Sequence, residues 1–194
     1  MSEARAKWFA RFADARVDQL VFLDEFGAAT NMTRRYARAP SGRRVAGTVP
    51  HGDRTLVSTV AAMTVRGVVA SASFEGATDT DTFVTFVREA LVPTLKRGQV
   101  VVLDNLSVHK APAVAALIEA AGCRLLPLPP YSPDYNPIEM AIAKVKALLR
   151  STAARETEAP LDAIGVALAS VTPRDALNFI RHCGYDATVQ CNML

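Results

Sequence analysis

The chain has 194 residues, of which 50% are hydrophobic and 21% charged, and carries a formal net charge of +3. This balance suits one well-packed domain and excludes a disordered, fibrous or collagen-like chain. The longest apolar candidate, residues 55–74, is broken at its centre by Arg66 and Gly67, so no membrane span is expected. Residues 1–16 mix Glu, Arg, Lys and Asp with apolar residues and lack a secretory core, which predicts a cytoplasmic protein. Cys123, Cys183 and Cys191 are odd in number and lack CxxC spacing, so ordinary reduced thiols are expected and not a zinc or redox motif.

Along the chain, Trp8, Phe9 and Phe12 stand at helical spacing and predict a short amphipathic helix over 3–16, leading as a helix or linker remnant into a domain over 17–194. Residues 20–23, Leu-Val-Phe-Leu, read as a buried strand that ends on Asp24. Between Arg34 and Arg54 lie six arginines (34, 35, 38, 43, 44 and 54) against one acid, Asp53, in a turn-rich setting. Such a stretch suits a phosphate backbone, and equally a solvated loop.

Two β-branched runs, 55–63 and 65–74, flank an Arg66-Gly67 turn and predict an antiparallel pair. Helical periodicity over 79–96, with Thr78 or Asp79 as N-cap, predicts a crossover helix. A strand at 100–103 then ends on Asp104-Asn105, followed by a helix near 112–121 and a strand at 124–128. After a proline-rich loop, Ile138, Ile142, Val145 and Leu149 form one helical stripe with lysines opposite, and two more helices follow Pro160 and Pro173. The expected architecture is α/β: a ribonuclease H-like mixed five-stranded sheet flanked by helices.

Acids delivered by the ends of neighbouring strands share one crevice, and a carboxylate beside a four-residue apolar run is costly unless a cation compensates it. Asp24 and Asp104 are placed in this way, although a single strand-end Asp also suits a turn or helix cap. Glu139 adds a third acid in Asn136-Pro137-Ile138-Glu139, a spacing that also fits a capping box on Asn136. Three hard oxygen donors without cysteine favour Mg2+ or Mn2+ over zinc, and phosphodiester hydrolysis is the reaction two such ions promote well.

At three places the local sequence resembles a known family. Leu23-Asp24-Glu25-Phe26-Gly27, the block from Leu103 to Lys110 (LDNLSVHK) and the block from Pro130 to Glu139 (PYSPDYNPIE) look like the signature segments of mariner-related bacterial insertion-sequence transposases. The 34 residues between Asp104 and Glu139 agree with that superfamily's spacing. The segment 35–42 is similar to the family's basic stretch, and Cys183-Gly184-Tyr185 resembles its usual ending.

The resemblance implies a DDE transposase catalytic domain. Asp24, Asp104 and Glu139 would hold two Mg2+ ions, with Mn2+ as substitute, to cut DNA at transposon ends and join the freed 3′-hydroxyl to target DNA. Double-stranded DNA, a TA target and a homodimer on DNA are the implied partners. Asn105 and His109 are secondary candidates; Arg34, Arg35, Arg38, Arg43, Arg44, Lys144 and Lys146 are the DNA-binding candidates. Ile142 stands where relatives often carry Trp. No helix-turn-helix fits before residue 17, so a split-gene product or fragment is expected. A non-catalytic DNA-binding remnant and another ribonuclease H-like nuclease are the alternatives.

Overall fold

The computed structural model describes residues 5, 7–12, 15–29, 32, 38–46, 56–104, 112–152 and 159–185. Strands β1 (Leu20–Ala29), β2 (Leu56–Thr64), β3 (Gly67–Glu75), β4 (Val100–Leu103) and β5 (Arg124–Pro127) form one sheet in the order β3-β2-β1-β4-β5. β1 pairs antiparallel with β2 and parallel with β4, and β4 pairs parallel with β5. The expected five-stranded mixed sheet is therefore present.

Period-two alternation in β1 sorts its residues to two faces. Leu20, Phe22, Phe26 and Ala28 face one core, together with Val100 and Val102 of β4. Helices α3 (Ile138–Thr152), α4 (Ala159–Ala169) and α5 (Pro173–His182) cover that core. Val21, Leu23, Val101 and Leu103 face the opposite core, covered by α1 (Thr80–Phe86) and α2 (Pro112–Ala120). All four stripe residues of α3, Ile138, Ile142, Val145 and Leu149, are buried, each contributing about 1.5–3 kcal/mol of apolar transfer.

Three boundaries differ from expectation. β1 does not stop at Asp24: pairing with β2 carries it on to Ala29, opposite Leu56. The helix predicted over 79–96 starts as expected, with Asp79 accepting from Thr82 N at 2.8 Å, but widens into a π-type turn at Val87–Leu91 and a 3-10 turn at Val92–Thr94. Pro93 has no N–H to bond the preceding turn, which ends the helix there. Within residues 7–12 the described chain forms a 3-10 turn, Phe9–Phe12.

The two-residue turn of the β2–β3 hairpin falls at Val65-Arg66, and Gly67 opens β3 with φ +102. A Cβ there would lie 2.5 Å from Val171 O, between α4 and α5, so glycine is required both by backbone angle and by close approach. Among the described residues no helix is long and apolar enough to cross a membrane.

Candidate active site

Register decides where the acids fall. The parallel pairing of β1 with β4 reaches Phe22 opposite Val102, and two residues further on come Asp24 and Asp104. Asp24 continues the alternation that sends Phe22 toward the α3 layer, and Asp104 is the residue directly after β4. The two acids thus stand at one level, at neighbouring backbones about 4.8 Å apart.

Asp24 is 6% exposed. Its Oδ1 accepts from Glu25 N at 2.7 Å and its Oδ2 from Asn136 Nδ2 at 3.0 Å. Burial first, and then repulsion from Glu139 and Asp104, push its carboxyl up to about 8, against the Glu25 N–H that favours the charged form. Three acids are therefore in electrostatic contact.

Glu139 occupies the first turn of α3 and is exposed to solvent. The capping box does not form. Asn136 N donates to Pro133 O at 2.9 Å instead of to Glu139, and Glu139 N donates to Asn136 O at 3.1 Å. The Asn136 side chain, in a residue only 2% exposed, crosses to Asp24 and leaves its Oδ1 buried without a hydrogen-bond partner in the structure. Sequence reasoning missed Asn136 as a site residue because Asn before Pro at a helix start reads first as a cap. Its contact with Asp24 spans 112 positions.

Among the described residues no three His, Cys, Asp or Glu side chains already enclose a point where an ion would sit. The donor set nonetheless fits a hard divalent cation. Its oxygens are carboxylates, and Asp24 is buried with two further acids acting on it, so burial and their repulsion both disfavour its charged form until a cation is present. A cleft of about 500 Å³ opens beside Glu139, lined by Asn136, Tyr135, Met140, Phe9 and His182.

The basic candidates divide. The Lys144 Nζ donates to Ser170 O at 2.8 Å and to Asp175 Oδ2 at 2.7 Å, so it ties α3 to the α4–α5 junction. Lys146 lies two turns beyond Glu139 on the same side of α3, with Nζ 5.8 Å from the centroid of the Phe26 ring. Arg38, Arg43 and Arg44 are exposed around a turn at Ser41-Gly42. Arg34, Arg35, Asn105 and His109 lie outside the described residues.

Residues 19–160 match the family described as DDE superfamily endonuclease. Solved structures with the same fold include the Mos1 transposase paired-end complex with left transposon end, at 15% identity and TM-score 0.71 over 92% of this chain and 56% of that one. The mariner Mos1 paired end complex with Mg matches at 15% identity and TM-score 0.69, over 95% of this chain and 59% of that one. The catalytic domain of Mos1 mariner transposase matches at 16% identity and TM-score 0.63, over 94% and 90%. The chain thus spans little more than half of the Mos1 chains in the DNA complexes and nearly all of the separate catalytic domain. A comparison with curated protein sequences gave no match.

Proposed function

Because this chain belongs to the DDE superfamily endonuclease family, we propose that residues 17–194 are the catalytic domain of a mariner-related bacterial insertion-sequence transposase, with residues 1–16 leading into it. What supports this reading is that Asp24 in β1 and Asp104 at the end of β4 stand at one level, with the 3.0 Å Asn136–Asp24 hydrogen bond bringing the start of the Glu139 helix beside Asp24; the raised Asp24 carboxyl agrees with it. Its reaction would be cleavage of DNA at transposon ends and strand transfer into target DNA.

Asp24, Asp104 and Glu139 would hold Mg2+, or Mn2+ in its place, as two ions. When bound, such ions activate an attacking oxygen and neutralise charge on the scissile phosphate and leaving oxygen. The chain's own contribution is orientation. Asn136 holds one oxygen of Asp24 and the Glu25 N–H the other, which leaves the carboxylate a fixed direction. Glu139, exposed beside the cleft, supplies the third donor. Arg38, Arg43, Arg44 and Lys146, with Arg34 and Arg35, supply positive charge for the phosphate backbone of double-stranded DNA. Asn105 and His109 are secondary site residues. Assembly as a homodimer on DNA and a TA target complete the proposal, and two comparison structures, described as complexes with Mn and with Mg, are consistent with the choice of ions.

The test is nicking of supercoiled duplex DNA by the purified chain with Mg2+ or Mn2+. Wild type should nick only with the divalent ion, and Asp104→Asn should fall to background. Nicking that survives Asp104→Asn, or that persists in excess chelator, would sink the reading.

A further inference from the structure

Asp24 lies within β1 and Asp104 directly follows β4, but Glu139 follows a longer loop that leaves the sheet after β5 and runs into α3. Within that loop Tyr131 adopts φ 55, a backbone region that non-glycine residues seldom occupy, and its side chain is 99% exposed, so its own packing does not explain the conformation. The support comes from the other end of the sequence. Arg5 Nη1 donates to Tyr131 O at 3.1 Å and to Ser132 Oγ at 2.8 Å. The same guanidinium grips Asp134 through Nη1–Oδ1 at 2.9 Å and Nη2–Oδ2 at 2.6 Å, and lies 4.5 Å from the Tyr135 ring centroid. The planar fork sets the two hydrogens of Nη1 among three of these acceptors, one of them shared, and turns Nη2 to Asp134 Oδ2, a spread that a lysine ammonium cannot reproduce.

A second grip lies behind the first. Trp8 is wholly buried and near-parallel to Tyr135, with ring centroids 6.5 Å apart and planes 7° from parallel. Trp8 Nε1 donates to Tyr185 Oη at 3.1 Å, and that hydroxyl donates to Tyr135 O at 2.8 Å. Phe9 packs edge-on against both Tyr135 and Tyr185, an approach for which Gly184 leaves room: a Cβ there would lie 3.1 Å from the Phe9 ring. Residues 131, 132, 134 and 135 are thus each held by side chains from residues 5–9 or 185. The next residue is Asn136, whose amide orients Asp24, and three residues later comes Glu139.

We propose that Arg5, backed by Trp8 and Tyr185, is a positioning residue for the acidic site: its fork sets the 131–136 loop, and through that loop the Asn136–Asp24 contact and the place of Glu139. The N-terminal segment is then a working part of the site. This inference rests on the acids being a divalent-cation site, and it predicts that cation affinity responds to Arg5 in the direction opposite to simple charge. Removing a cation near three carboxylates would by Coulomb's law tighten a divalent ion. Loss of positioning weakens it.

The experiment uses the whole chain, with Mn2+ alone as calorimetric probe and metal-free hydrogen exchange as a second readout. Arg5→Ala and Arg5→Lys should both speed exchange over residues 131–140 while leaving β1 and β2 protected. Both should weaken Mn2+ binding about 10-fold, the scale for losing an outer partner of a metal ligand; the lysine retains the charge but not the fork. Should Arg5→Ala fail to fold, Arg5→Lys carries the test. Unchanged or tighter Mn2+ binding in the folded variants overturns the proposal, as does unchanged exchange over 131–140. A wild-type chain that binds no Mn2+ overturns the cation-site reading itself, and exchange alone then decides whether Arg5 holds the loop.

Discussion

Asp24 and Glu139 meet at one place but reach it by unlike routes. Asp24 lies inside a strand paired on one side from Phe22 to Ala29, so its position follows from backbone hydrogen bonds that no single side chain controls. Glu139 lies in the first turn of a helix, after a loop held by Arg5, Trp8 and Tyr185. Further along, that helix is pinned through Lys144 to Ser170 and Asp175. The strand half of the site should therefore tolerate remote substitution, and the helix half should register it.

Substitutions that load one half and spare the other can break this comparison. The largest effect is expected from Trp8→Ala, which empties a fully buried indole site and removes the hydrogen bond to Tyr185. Chemical denaturation should show a loss of about 3–5 kcal/mol, with faster exchange at 131–140 than in the sheet. Equal loss of protection in β1 and β2 would show that the two halves are not separate. Next comes Gly67→Ala, where φ +102 and a 2.5 Å approach to Val171 O both oppose a Cβ. A loss of about 2 kcal/mol is expected, read as a lower Tm, with the disturbance centred on the α4–α5 junction and not on Asp24.

The smallest effect concerns pH. The hydrogen bond from Lys144 first, and then those from Thr172, hold the Asp175 carboxyl below the usual carboxylate range. A folded-state value depressed below the unfolded one means that the unfolded chain binds the proton more readily. This stabilisation is complete above the ordinary carboxylate value of about 4 and fades as pH falls through the acid range. Melting curves from pH 6 downward should fall less steeply in Asp175→Asn than in wild type, and parallel curves would remove Asp175 from the account.

Much of this was legible in the sequence. Apolar runs of Val, Leu and Phe located all five strands to within a residue or two at most ends, and the stripe Ile138, Ile142, Val145 and Leu149 gave the buried face of α3. Asp24, Asp104 and Glu139 were readable because each follows a strand run or a helix start. The continuation of β1 past Asp24 was not, since Glu25-Phe26-Gly27 is a weak strand pattern that holds only because β2 supplies partners as far as Ala29. Lys144 looked like any solvent-facing lysine; its partners Ser170 and Asp175 lie 26 and 31 positions away.

What the sequence determined by itself was the kind and order of the parts: strand, hairpin, crossover, strand, helix, strand and a helix opening on an acid. Those follow from local periodicity and from the cost of placing a carboxylate beside an apolar run. Tertiary structure alone decided which polar side chains serve the site. Asn136 turned from helix cap to partner of Asp24, Lys144 gained partners inside the protein, and Arg5 turned from linker residue to holder of the loop. The physical reason is that a hydrogen bond is chosen by what lies within about 3 Å after folding, and no local pattern encodes a neighbour that is distant along the chain.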